Sequence, residues 1–199
     1  MPFKIVILGS GRGSNAEALL KAEQRGELGK GEIVAVFSDQ PEAGILAIGR
    51  DYNKHAAYID PGRKGARFSP EGEDAFVATI AALEPDLIVL AGFMRIISPR
   101  FIHAFNGRVI NLHPSLLPSF PGLDALGQAI AAGVRVAGCT VHWVTPELDA
   151  GPIIDQAAFR IDPNADPAIA RKALTQAEHA LLPEVVAAIA NGGASPARD

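Results

Sequence analysis

Apolar residues run along this chain in two rhythms. FKIVILG (Phe3 to Gly9), EIVAVFS (Glu32 to Ser38), DLIVLAG (Asp86 to Gly92) and RVINL (Arg108 to Leu112) are short and apolar at nearly every position. Such runs predict strands buried on both faces. Between them, Asn15 to about Gln24, Ala43 to Asp51 and GEDAFVATIAALE (Gly72 to Glu84) space their apolar residues as helices do. A short strand is expected near Ala56 to Asp60, followed by the polar loop PGRKGARFSPEG. Strand alternating with helix predicts an α/β, Rossmann-like, mostly parallel sheet with helices on both faces.

The second half changes rhythm. GCTVHWVT (Gly138 to Thr145) and GPIIDQAAFRI (Gly151 to Ile161) are strands too close in sequence for a parallel crossover, so they predict an antiparallel pair. An Ala-rich helix is expected from about Pro167 to Ala190, kinked near Pro183, and the tail from Asn191 reads as a frayed end. No repeat or linker interrupts the pattern. The expectation is one domain over residues 1–199, with a phosphate-binding half to about 110 and a catalytic half over about 111–190.

Composition narrows the function classes. The chain has 199 residues, enough for one sizeable core, and a net charge of −4, which argues against a nucleic-acid partner. No apolar run reaches the ~20 residues of a membrane span, and the N-terminus lacks the features of a signal peptide. The single cysteine, Cys139, excludes an internal disulfide, and the five histidines show no metal-ligand spacing, so no metal is expected. A cytoplasmic protein follows from these absences.

In open α/β sheets ligands gather at the carboxyl ends of the strands, and two motifs fall there. GSGRGSN (Gly9 to Asn15) joins a strand to a helix, and Gly13, Ser14 and Asn15 form a candidate phosphate cradle. It is not a P-loop, because no Gly-Lys-Ser/Thr closes it. A dinucleotide fingerprint would need Ala16 as its third small residue and Asp39 as its acidic partner. A tight turn without a ligand is the plainer alternative. In NLHPSLLPSFPGLDA (Asn111 to Ala125), Asn111 and His113 stand two apart on an extended segment and face one side. Pro114 keeps His113 extended, and Leu117–Pro118 is a candidate cis bond. An amide can donate to an oxyanion, and an imidazole can donate or move a proton. Asp149, in ELDAGPII, can reach His113 if the strand at Gly138 to Thr145 lies beside that ending at Leu112. Read separately, Asn111 is a turn cap, His113 a core histidine and Asp149 a loop cap. His142 reads as a packed strand histidine, with a place at the edge of the site as its alternative; Cys139 reads as a small buried residue, His103 as a helix-surface residue, and His179 as a neighbour that helps place Glu178. The charges of Asp60 to Asp74 read as a solvated loop, Arg67 being the one candidate for recognition.

GSGRGSN, LAGFMRIIS (Leu90 to Ser98), NLHPSLLPSFPGLDA, GCTVHWVTPELDAGPIIDQ and TQAEHALLP (Thr175 to Pro183) occur in that order. In this the chain resembles the phosphoribosylglycinamide formyltransferases, over nearly its whole length. The resemblance implies the formyltransferase fold and transfer of a formyl group from 10-formyltetrahydrofolate, as co-substrate, to the amine of 5-phosphoribosylglycinamide in purine biosynthesis. It implies Asn111, His113 and Asp149 as catalytic residues, and Gly13, Ser14, Asn15 and Glu178 at the ribonucleotide. It also implies Met94, Arg95, Ile96, Ile97, Asn111 and Val144 at the folate, with the loop Val144 to Asp149 closing on the pterin. The implied partners are small molecules, without nucleic acid or membrane, in a monomer or homodimer. Three departures stand out. Leu126 and Gly127 replace the family's usual His and its neighbour, Thr175 occupies the place of a ribonucleotide-binding Gln, and Ser69, with Arg67 nearby, that of a folate-contacting Arg. Methionyl-tRNA formyltransferase and formyltetrahydrofolate deformylase share the Asn–His–Asp set but carry additional domains. A non-catalytic nucleotide- or folate-binding module is the alternative of a different class.

Overall fold

Two apolar layers sandwich one sheet. The computed structural model describes residues 1–162 and 166–193; the tail expected to fray lies, beyond Gly193, outside the described residues. The strands are β1 (Phe3–Leu8), β2 (Gly31–Ser38), β3 (His55–Tyr58), β4 (Leu87–Leu90), β5 (Val109–His113), β6 (Val136–Trp143) and β7 (Ile153–Arg160). They form a seven-stranded sheet in the order β3-β2-β1-β4-β5-β6-β7. Pairs from β3 to β5 are parallel, and β6 runs antiparallel to both β5 and β7. The mostly parallel sheet with an antiparallel finish is therefore the observed architecture.

Alternation within β1 shows why both faces are covered. Ile5 and Ile7 pack with Leu19, Leu20, Leu182 and Val186, whereas Val6 and Leu8 pack with Phe76, Ile80 and Phe101 on the other side. Each fully buried side chain of this kind contributes roughly 1.5–3 kcal/mol. The first layer holds α1 (Ser14–Gln24), α2 (Gly44–Asp51) and α6 (Pro167–Ala190), and the second α3 (Pro70–Ala81) and α4 (Pro99–Ala104).

Caps decide where these helices begin. Ser69 accepts from the Gly72 amide at 3.0 Å and Ser98 from the Phe101 amide at 3.1 Å, each just before a proline at the first helical turn. α3 thus starts at Pro70, two residues before the expected Gly72. A helix absent from the sequence reading, α5 (Ala125–Ala131), starts on Asp124, whose carboxylate accepts from the Gly127 amide at 3.3 Å. α6 is continuous through Pro183, which is buried in the core. β6 begins at Val136, two residues ahead of expectation, because its pairing with β7 extends to Val136 and Arg160.

Candidate active site

The sheet register lines up the ends of three central strands. Leu8 pairs with Leu90, and Leu90 pairs with Asn111. Two strand spacings of ~4.8 Å put the start of the glycine loop about 10 Å from Asn111. The segment after β4, Gly92 onward, lies between them.

β5 points Ile110 and Leu112 into the α1/α6 layer, which leaves Asn111 and His113 on the opposite side. β6 then returns antiparallel, so that Asn111 faces His142 and His113 faces Thr140. Thr140 fixes the turn after His113: its hydroxyl donates to the Ser115 carbonyl at 2.7 Å and accepts from the Leu117 amide at 3.0 Å. Gln156 Nε2 donates to the Leu117 carbonyl at 2.9 Å, and the Leu117–Pro118 bond is cis.

Asp149 comes back from the β6–β7 connection, its backbone in the left-handed region at φ 51. One carboxylate oxygen, Oδ2, accepts from the Gly122 amide at 2.8 Å and lies 3.5 Å from His113 Nδ1. The other, Oδ1, lies 3.9 Å from His142 Nε2. The three side chains are 5%, 3% and 8% exposed for His113, His142 and Asp149, so water screens their interactions little.

Hydrogen-bond partners set the roles of the two imidazoles. His113 Nε2 faces the Phe120 carbonyl at 3.0 Å and its Nδ1 faces the Asp149 carboxylate, so only the doubly protonated ring can donate on both sides. His142 differs. Its Nδ1 donates to the Trp143 carbonyl at 2.9 Å, and its Nε2 accepts from Asn111 Nδ2 at 3.2 Å. Burial lowers its pKa below the ordinary 6.5, outweighing the Trp143 carbonyl and Asp149, which favour charge. A neutral His142 thus holds one hydrogen of the Asn111 amide and leaves the second for a ligand oxygen.

The glycine loop opens α1. Gly13 has φ 89, and a Cβ there would sit 2.7 Å from the Ile45 Cα, so the turn needs glycine. No side chain caps α1 among the described residues, so its first amides are available to an anion. Beside it, Asn15 Nδ2 donates to Glu178 Oε2 at 3.3 Å, while Asn15 Oδ1 is buried without a partner among the described residues. Burial raises the Glu178 pKa, and the Asn15 bond only partly opposes this. Asp39 is neutralised by Arg95 at 2.7 Å, which removes it as the acidic partner of a dinucleotide fingerprint.

The segment expected at the folate splits by face. Met94 and Ile96 are 59% and 39% exposed, whereas Arg95 and Ile97 are buried. Val144 is half-buried against the α3/α4 layer, its amide bonded to the Val109 carbonyl at 2.9 Å. A cleft of about 790 Å³ runs beside Met94, bounded by Tyr58, Asp60, Arg63, Lys64 and Leu123. The loop read as merely solvated is therefore a wall of this cleft.

A formyl transferase family model matches residues 3–186. The chain belongs to the formyl transferase family. It is 39% identical over 193 residues to the phosphoribosylglycinamide formyltransferase of Escherichia coli K12, covering 96% of this chain and 88% of that one. It is 36% identical to the enzyme of the same name from Bacillus subtilis 168, covering 92% of each. Among solved structures, phosphoribosylglycinamide formyltransferase from Brucella melitensis superimposes with a TM-score of 0.88 at 42% identity, covering 99% of this chain and 100% of that one. Glycinamide ribonucleotide transformylase 1 from Symbiobacterium toebii gives 0.89 at 38%, covering 96% and 89%.

Within this family the chain's departures have structural homes. Leu126 is buried in the α1/α6 core, and a side chain on Gly127 would collide with the Asp124 cap. Thr175 donates back to the Arg171 carbonyl of its own helix at 3.1 Å. Ser69 is the cap of α3, not a cleft residue. His103 is exposed on α4, and Cys139 is fully buried with its thiol pushed up to about 12 by burial. Burial also lowers the His179 pKa, and its Nε2 is buried without a partner among the described residues. His142 combines its two readings: it is packed on its strand and bonds a backbone carbonyl, and it also edges the site, its other nitrogen facing Asn111. Only the β5–β6 register reveals this.

Proposed function

We propose that this protein transfers the formyl group of 10-formyltetrahydrofolate to the amine of 5-phosphoribosylglycinamide, yielding the formylated ribonucleotide and tetrahydrofolate. The observation that carries the reading is the convergence of Asn111, His113 and Asp149 at the strand ends beside the glycine loop. Relatives bearing that activity in their names match over nearly the whole chain.

In this reading the phosphate rests on the amides of Gly13, Ser14 and Asn15. Glu178 accepts from ribose hydroxyls. Met94, Ile96, the backbone around Arg95 and Ile97, and the loop from Val144 to Asp149 border the folate. The substrate amine attacks the formyl carbon, and the carbonyl oxygen becomes an oxyanion. Asn111 donates to it with the amide hydrogen that His142 does not hold. His113 supplies positive charge, and the 3.5 Å gap to Asp149 lets its Nδ1–H be shared between carboxylate and oxyanion. The bond from the formyl carbon to the folate nitrogen then breaks, and the proton lost by the amine goes to that nitrogen, with Asp149 as carrier. Holding both reactants in register supplies several further kcal/mol of barrier reduction. The half to about residue 110 thus cradles the phosphate and adds Met94 to Ile97 at the folate, and the half over about 111–190 carries the catalytic residues and Glu178, in a cytoplasmic monomer or homodimer.

The test is a formyl-transfer assay with both substrates, against a control lacking the ribonucleotide. Folate product that forms only with the ribonucleotide supports the reading. Equal release without it would make the protein a deformylase.

A further inference from the structure

Arg95 lies in the segment expected to line the folate pocket and borders the cleft beside Met94, yet its guanidinium is engaged by the protein's own groups. Its side chain is 5% exposed, and Nε donates to Asp39 Oδ2 at 2.7 Å, with the Asp39 side chain 1% exposed. Nη1 faces the carbonyls of Arg63 at 2.9 Å, of Gly65, and of Arg67 at 3.1 Å. The guanidinium carbon sits 5.9 Å from the centre of the Phe68 ring, and the next residue, Ile96, donates its amide to the Ala66 carbonyl at 2.7 Å. One side chain thus holds Asp39 through Nε and, through Nη1, meets three carbonyls of a stretch without regular structure; the single nitrogen of an ammonium cannot serve both ends at once.

The other end of the ion pair is tied to the glycine loop. Asp39 Oδ1 accepts from the Ser10 hydroxyl at 2.5 Å, and that hydroxyl accepts from the Met94 amide at 2.8 Å. Bonds therefore run continuously from Ser10, beside the ribonucleotide site, through Asp39 and Arg95 to the loop whose Arg63 and Lys64 border the cleft.

We propose that Arg95 is a positioning residue whose guanidinium anchors residues 62–67 as the fixed outer wall of the folate cleft. It rests on the functional reading for the identity of the ligand. The loop's rigidity is a property of the protein alone.

Two readouts test it in the full-length protein. The first is limited trypsin digestion without substrates, since Arg63, Lys64 and Arg67 are all cleavage points in the anchored stretch. The second is steady-state kinetics with each substrate varied. Arg95→Met is expected to speed cleavage at these three sites and to raise the KM for 10-formyltetrahydrofolate by about tenfold or more, with kcat and the ribonucleotide KM nearly unchanged. Arg95→Lys keeps the charge but has one nitrogen in place of two, so it cannot hold Asp39 and the loop together, and should behave like Arg95→Met in both readouts. Because Arg95→Met strands a buried carboxylate, Asp39→Asn/Arg95→Met is measured alongside to remove both charges. Unchanged cleavage in Arg95→Lys and in the double variant would overturn the proposal, as would equal losses in kcat and in both KM values. If the wild-type protein transferred no formyl group, the functional reading would fall, and the cleavage rates would still decide for or against the anchor.

Discussion

Asp149→Asn isolates the charge at the centre of the site. The replacement is isosteric, and its amide oxygen can still accept from the Gly122 amide, as Oδ2 does at 2.8 Å. What disappears is the unit negative charge 3.5 Å from His113 Nδ1. At an effective dielectric of ~20, Coulomb's law gives about 5 kcal/mol for a full charge pair at this distance. That figure is the upper limit of what the carboxylate contributes beside the developing oxyanion, because burying both groups costs part of it. As a ceiling, kcat should fall by between about three and four orders of magnitude. The assay is formyl transfer at saturating concentrations of both substrates, with the ribonucleotide KM and the melting temperature measured in parallel. A kcat within tenfold of wild type, with the loss appearing in KM instead, would show that Asp149 binds rather than sustains charge.

Other perturbations reach the remaining parts of the site. Gly13→Ala forces a side chain into positive φ against Ile45; it should cost about 1–3 kcal/mol, read as a lower melting temperature, and raise the ribonucleotide KM. Glu178→Gln relieves a buried carboxylate whose pKa is raised by burial, so it should raise the melting temperature at neutral pH while weakening the ribonucleotide; a variant less stable than wild type would contradict the burial cost. The sign for His142 is opposite. Its folded pKa lies below the ordinary 6.5, so the unfolded chain takes up protons first, and stability should fall as pH drops below 6.5. Denaturant midpoints between about pH 5 and 7 should show a smaller fall for His142→Gln than for wild type.

The strands and the period-two pair Asn111/His113 are legible from the chain because parallel strands covered on both faces leave continuous apolar runs. α5 is not. Its seven residues include a glycine and a glutamine, and its start depends on Asp124 adopting φ 50, a tertiary circumstance. Asp149 is identifiable by its motif, but its reach to His113 follows only once β6 is known to lie beside β5. Arg95 shows the deepest limit. Its neighbours Met94 and Ile96 face outward, and nothing local reveals that its own charge turns inward to a carboxylate 56 positions away.

The pairing of β5 with β6 has one further consequence. Asn111 stands against His142, with Val141 and Trp143 on either side of that histidine. Sliding the two strands by one place would set an apolar side chain opposite the amide and turn the imidazole to the far face. Competence and correct zipping of the sheet are then a single event. A molecule zipped one place out of register would present no amide held by an imidazole at this end of the sheet.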